Sequence, residues 1–230
     1  MSRYVFEPKP PVAIEIAGTD ARLPVNRIFC VGRNYAAHVR EMGFDPDREK
    51  PCYFTKANRS LAPSGIEIPY PPATRDFHHE IELVVAVGSA GFELSANEAL
   101  SVVYGYACGL DMTRRDLQVA SRESKGPWDV GKDFENSAII SPIRPAEDIG
   151  HPVSGRIRLS VNGELRQDSD LENLIWSVPE IIADLSRLYR LEPGDLVYTG
   201  TPDGVGPVGP GDRISGSVAG VGDVTLTISN

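Results

Sequence analysis

Cysteine is scarce: Cys30, Cys52 and Cys108 are the only three in 230 residues. Each lies in an apolar context, without the paired spacing of a disulfide framework or a zinc site. They read as buried thiols of a reducing compartment. Basic charge is also short. Lysine and arginine number 23 against 32 acids, a formal net charge of −9 at pH 7, which argues against nucleic acid or an anionic membrane as partner. No apolar run nears the roughly 20 residues that span a bilayer. The opening Met1-Ser2-Arg3-Tyr4-Val5-Phe6-Glu7-Pro8 lacks the charged-then-apolar order of a secretory signal. Low-complexity tracts and fixed-period repeats are missing too. The expectation is a cytoplasmic protein with a single main domain that can bury a sizeable core.

What is present is mostly strand. Apolar runs at Val12–Ile16, Ile28–Val31, Cys52–Thr55, Ile81–Val87, Val103–Leu110, Ala138–Ser141, Ile157–Val161, Leu196–Tyr198 and Val224–Ile228 carry strand composition. Asn162-Gly163 joins Arg156–Val161 to Glu164–Gln167 as a hairpin. Helices are few: Tyr35–Met42, Thr113–Glu123 and Val178–Tyr189, the last with an apolar stripe of Ile181, Ile182, Leu185 and Leu188. Strands this numerous and unevenly spaced exclude a doubly wound fold and predict a mostly β, α+β domain. Residues 1–22 read as a short leader strand packed on a domain of residues 23–230. The turn-rich Thr199-Gly200-Thr201-Pro202-Asp203-Gly204 lacks the Gly-Lys-Ser/Thr ending of a phosphate loop. It is a place where backbone comes close to something.

The chemistry gathers at His78-His79-Glu80-Ile81-Glu82-Leu83. Residues two apart on a strand share a face, so Glu80 and Glu82 project together, about 6–7 Å apart at Cα. Paired carboxylates at the mouth of a buried strand need a cation between them, or one must keep its proton. A third acid, Asp111, ends the next apolar run. If the two strands are neighbours, Glu80, Glu82 and Asp111 form an all-oxygen set that suits Mg2+ or Mn2+ rather than zinc. His78 shares the glutamate face and is a further candidate ligand. The ordinary alternative is a solvated glutamate face, with Asp111 capping the helix near Thr113. His38 and Glu41, three apart on one helical turn, are the make-up of a water-activating base. In isolation such a pair is more often an exposed ion pair. Gly32 and Gly43 flank it as candidate hinges of a lid.

These segments together resemble the fumarylacetoacetate hydrolase family, from about Asn26 to the end of the chain. The landmarks are Val31-Gly32-Arg33-Asn34-Tyr35, His38 with Glu41, His79-Glu80-Ile81-Glu82-Leu83 and Leu110-Asp111-Met112-Thr113. To these are added Arg115-Asp116-Leu117-Gln118, Gly131-Lys132, Val161-Asn162-Gly163-Glu164 and Thr199-Gly200-Thr201-Pro202. The stretches from Glu41 to Glu49, Ile68 to Pro72 and Thr113 to Asp116 are most similar to members that hydrolyse fumarylpyruvate in gentisate breakdown. The resemblance implies a mixed β-sandwich roll that forms a homodimer, with Mg2+ or Mn2+ at Glu80, Glu82 and Asp111. It implies a small-molecule substrate site lined by Arg115, Gln118, Lys132 and Thr201. It makes His38 and Glu41 a catalytic dyad on a closing lid, with Lys132 stabilising developing charge. The implied activity is metal-dependent hydrolysis of a carbon–carbon bond in a 2,4-dioxo acid, fumarylpyruvate giving fumarate and pyruvate. Acylpyruvate hydrolysis, oxaloacetate decarboxylation and isomerisation of a hydroxy-diene-dioate are alternatives on the same scaffold. A catalytically silent binding protein is the alternative of another class, and the intact ligand set and dyad weigh against it.

Overall fold

The computed structural model describes residues 3–43 and 50–230; Phe44 to Glu49, part of one expected landmark, lie outside them. Numbered in chain order, the strands of the largest sheet run β4 (Cys52–Lys56), β3 (Ile28–Gly32), β15 (Leu196–Tyr198), β8 (Ile81–Val87), β9 (Val103–Asp111), β11 (Ala138–Ile140) and β5 (Leu61–Pro63). Beside them, β12 (Arg144–Pro145) pairs with β9. The sheet is mixed: β15 is parallel to β3 and β11 to β5, and the other pairs are antiparallel. A second sheet runs β14 (Glu164–Asp170), β13 (Arg156–Val161), β17 (Arg213–Val218), β18 (Gly222–Ile228) and β6 (Ile66–Ile68). A small third sheet joins β10 (Thr113–Arg114), β7 (Phe77–His79) and β16 (Gly206–Pro207).

Alternation along β8 explains why every residue of it is buried. Ile81, Leu83, Val85 and Val87 face the larger core, shared with Ile157, Leu159, Ile214, Val224 and Leu226 of the second sheet. Val84 and Ala86 face a smaller core with Cys30, Ala107, Ile140 and Tyr198. Each fully buried aliphatic side chain contributes roughly 1.5–3 kcal/mol, so a strand loaded on both faces anchors the roll. The helices are α1 (Ala36–Glu41), α2 (Arg115–Glu123), α3 (Asp129–Lys132), α4 (Ala146–Ile149) and α5 (Val178–Leu188). The α5 stripe of Ile181, Ile182 and Leu185 seals the larger core. Its first turn is closed by Glu180, which accepts the Ser177 backbone N–H at 2.9 Å. The fold is thus mostly β with few helices, as the strand count predicts.

The leader is a hairpin, β1 (Ala13–Glu15) against β2 (Arg22–Pro24). The boundary expected after residue 22 falls within β2. Ile14 and Ile16 bury themselves against the smaller core, so the hairpin covers the second face of the main sheet. Among the described residues no helix is long and apolar enough to cross a membrane.

Candidate active site

β8 and β9 are antiparallel neighbours with Ile81 opposite Leu110 and Glu82 opposite Gly109. Asp111 ends β9, and its N–H donates to the Glu80 carbonyl at 2.8 Å. Glu80, Glu82 and Asp111 therefore emerge at one end of the smaller-core face. Each offers a carboxylate oxygen within 4.8 Å of the others, and all three side chains are buried. The alternative of a solvated glutamate face is excluded by that burial. Asp111 does not cap a helix either. β10 intervenes, and α2 starts at Arg115.

Three cations surround the trio. Lys132 donates to Glu80 Oε2 at 2.9 Å, Asp111 Oδ2 at 2.6 Å and Thr113 Oγ1 at 2.8 Å. Arg115 pairs with the second oxygen of Glu80 and donates to Gln118 Oε1 at 3.3 Å. Lys56 Nζ lies 2.8 Å from Asp111 Oδ1. Burial alone would raise the Glu80 carboxyl, but Lys132 and Arg115 hold it well below the usual range. Burial would likewise lower Lys132, and Asp111 and Glu80 raise it instead, so it stays an ammonium. Glu82 has a different environment. Its carboxylate accepts the Gly200 N–H at 2.8 Å. Burial, then the charges of Asp111 and Glu80, push its carboxyl well above the ordinary value. A hard divalent cation beside these oxygens reverses that push, so the donor set fits such an ion.

His38 and Glu41 sit on α1, with His38 Nδ1 3.1 Å from Glu41 Oε2. Glu41 also accepts the Gly204 N–H at 3.1 Å. The hydrogen bond from His38 holds the Glu41 carboxyl below its ordinary value despite partial burial. An ionised Glu41 only accepts, which places the imidazole proton on Nδ1 and leaves Nε2 as the basic atom. His38 is buried, so the pair is not an exposed surface contact.

One cleft gathers His38, Glu80, Glu82, Asp111, Arg115, Gln118, Lys132 and Thr201. Every expected site residue except Glu41 lines it, and Glu41 reaches it through His38. His78 is not in the trio's cluster. A continuous strand from His78 onward predicts a shared face, but the strand is interrupted at Glu80 and β7 joins a different sheet. The His78 ring is held by Asp76 at 2.7 Å.

Sequence reasoning missed Lys56. It ends the β4 run Cys52-Tyr53-Phe54-Thr55-Lys56, two residues from Phe54 and so on the same face. Phe54 lines the cleft, with the Lys132 ammonium 5.0 Å from its ring centre, and Lys56 lies behind it against Asp111. A lysine in step with an inward aromatic was the available signal. By sequence Gln167 is only the last residue of a hairpin strand. It is fully buried and donates to Thr201 Oγ1 at 2.8 Å. Val31, Gly32, Arg33, Met42 and Trp128 complete the wall.

Comparison with known proteins is consistent with this geometry. The family model described as fumarylacetoacetate (FAA) hydrolase C-terminal matches residues 27–229. A fumarylpyruvate hydrolase of Ralstonia sp. is 50% identical over 184 residues, covering 80% of this chain and 95% of that protein. The mitochondrial oxaloacetate tautomerase FAHD1 of Homo sapiens is 41% identical over 201 residues, covering 87% and 90%. The crystal structure of fumarylpyruvate hydrolase from Pseudomonas aeruginosa in complex with Mn2+ and pyruvate superposes with a TM-score of 0.97. It has 49% identity and 99% coverage of both chains.

Proposed function

The chain belongs to the fumarylacetoacetate hydrolase family, and on that premise we propose that it hydrolyses the C3–C4 bond of a 2,4-dioxo acid, fumarylpyruvate giving fumarate and pyruvate. The observation that carries this reading is the meeting, in one cleft, of the acidic trio with a water-activating dyad. The relatives that act on fumarylpyruvate at 49–50% identity support it. Mg2+ or Mn2+ is the proposed cofactor, held by Glu80, Glu82 and Asp111; Mn2+ is the ion in the Pseudomonas enzyme's structure. Bound there, such an ion polarises the 2-oxo group and orients the adjoining carboxylate.

The protein's own groups do the rest. His38, its ring held by Glu41, takes a proton from water, and the oxygen attacks C4. Lys132 and Arg115 offset the charge that develops on the C4 oxygen, inside a cleft that α1 helps to close. Collapse breaks the C3–C4 bond; C4 leaves as the new carboxylate of fumarate. The electron pair stays on the pyruvate fragment, which takes up the proton carried by His38. Arg115, Gln118 and Thr201 hold the substrate. Charge supports a dianionic substrate. Three carboxylates meet three cations in the protein, so a divalent ion leaves a surplus that two substrate carboxylates balance.

A cytoplasmic homodimer serving aromatic-ring catabolism is the proposed setting, from the likeness to fumarylpyruvate hydrolases. The FAHD1 relative favours a second reading, oxaloacetate tautomerisation or decarboxylation on the same groups. Turnover of fumarylpyruvate, acetylpyruvate and oxaloacetate with Mn2+ or Mg2+ separates the two. Fumarylpyruvate is expected to have the highest kcat/KM, with activity lost on chelation and in Glu82→Ala. Full activity after exhaustive chelation discards the metal role, and preference for oxaloacetate hands the assignment to the second reading.

A further inference from the structure

We propose that Gln167 is a positioning residue that fixes the Thr201 hydroxyl as a hydrogen-bond donor into the cleft, making that wall selective for an anionic oxygen; this rests on the reading of Thr201 as a substrate contact. Gln167 is the one residue of β14 that is buried, and it lies opposite Leu159 of β13. A side-chain amide in a core can usually be turned either way. Here two groups of fixed character decide. The Ile81 backbone N–H can only donate, and it meets Oε1 at 3.0 Å. The Pro202 carbonyl can only accept, and it meets Nε2 at 2.9 Å. The remaining amide hydrogen then goes to Thr201 Oγ1 at 2.8 Å, and Oε1 takes its second bond from His79 Nδ1 at 3.1 Å. All four hydrogen-bonding positions of the amide are used.

The consequence falls on Thr201. A hydroxyl has one proton, and the side facing Gln167 is occupied by a donor, so the proton turns elsewhere. Among the described residues this hydroxyl makes no other hydrogen bond, and Thr201 lines the cleft beside Arg115, Gln118 and Lys132. A carboxylate or oxo oxygen is the partner this arrangement accepts. Gln167 also ties together the start of β8, which carries Glu82, and the loop after β15, which carries Thr201. It therefore sets their relative position from outside the cleft.

The test is a double-mutant cycle on Gln167 and Thr201. Gln167→Glu keeps the size and the acceptor for Ile81, but puts an oxygen where the donor to Thr201 stood. The hydroxyl proton is then drawn back to residue 167. The measurements are KM and kcat for fumarylpyruvate, and Kd for oxalate with Mn2+ by calorimetry. Gln167→Glu is expected to raise KM and Kd about tenfold, the scale of one hydrogen bond to a charged group, with kcat within about twofold. Thr201→Val should raise KM and Kd to the same extent, and the double variant should be no worse than either single one. Additive losses in the double variant, or a fall in kcat with KM and Kd unchanged, overturn the proposal and leave Gln167 a structural residue. If Gln167→Glu does not fold, Gln167→Met enters the same cycle with the same readings. A wild type that binds oxalate but leaves fumarylpyruvate intact defeats the reaction assignment alone, and the oxalate cycle still decides the role of Gln167.

Discussion

Lys56 carries more of the site than its plain sequence context suggests. Its ammonium is wholly buried, paired with Asp111 at 2.8 Å and donating to the Ser137 carbonyl at 3.1 Å and hydroxyl at 3.0 Å. It also donates to the Lys132 carbonyl. One charge thus anchors both a trio carboxylate and the helix that delivers Lys132. Replacing it with an apolar chain of similar length strips Asp111 Oδ1 of its neighbouring cation, while the Ser137 carbonyl, the Ser137 hydroxyl and the Lys132 carbonyl keep the Met112 N–H, the Phe134 N–H and the Ser137 hydroxyl as donors. Lys56→Met is expected to cost about 3 kcal/mol, the scale of breaking a buried pair from one side, read as a shift of the urea midpoint at constant slope. A change below about 0.5 kcal/mol refutes the anchoring role. Glu41 gives a pH-dependent counterpart. Its folded pKa is depressed, so its stabilisation is complete above the unfolded value of about 4.3 and is lost as pH falls through the folded value. Glu41→Gln should be less stable than wild type at pH 7, by under about 1 kcal/mol because the carboxylate is partly exposed. The gap should close below about pH 4. A gap that widens on acidification contradicts the His38 contact as its source.

At the scale of elements, the sequence was legible wherever side chains alternate on a long strand. Ile81–Val87 was placed to the residue because seven consecutive strand positions are filled by β-formers and both faces are covered. That placement also brought Glu80, Glu82 and Asp111 together once β9 was taken as the neighbour of β8. The short strands were not legible. β7, β10 and β16 have two or three residues each, too few for a period to appear, and their pairing depends on contacts far apart in the chain. This is why His78 was placed on the glutamate face although its ring is held by Asp76. Nor could the backbone contribution be seen in advance. Gly200 follows β15 at φ +102°, and its N–H is the 2.8 Å donor to Glu82. A Cβ there would sit 2.7 Å from Asn34 Cβ and 3.1 Å from the Val31 carbonyl, on a backbone that L-residues avoid. Gly200→Ala therefore has to move the loop. It is expected to lower Mn2+ affinity about tenfold, as one hydrogen bond to a charged group is lost, and to destabilise by at least about 1 kcal/mol. Calorimetric titration with Mn2+ and a thermal melt measure the two effects. Unchanged Mn2+ affinity would detach the loop from the trio.

For the whole molecule, the site is the place where the roll's two cores meet three like charges, and its electrostatics set a ceiling on stability without an ion. Glu82 is forced upward by burial and by Asp111 and Glu80, which is unfavourable energy built into the native state. A cation that binds only the folded chain removes it, and a chelating dianion then adds its own affinity. Linkage gives the size. A ligand at 100 times its Kd stabilises by about 2.7 kcal/mol, and for a chain of this length each kcal/mol moves the midpoint by about 2–4 °C. Mn2+ with oxalate, an analogue of the oxo-acid end of the substrate, should therefore raise Tm by roughly 5–11 °C. Oxalate without metal should do much less, since Lys56, Lys132 and Arg115 are already committed to Asp111 and Glu80. Mn2+ alone should give an intermediate rise. Glu82→Ala should abolish the response while keeping a single cooperative transition, because among the described residues the hydrogen bond its carboxylate makes is the one from the Gly200 N–H. Oxalate that stabilises equally with and without metal would mean that the cations, rather than the trio, bind it. That result would move the substrate's oxo-acid end away from Glu80, Glu82 and Asp111.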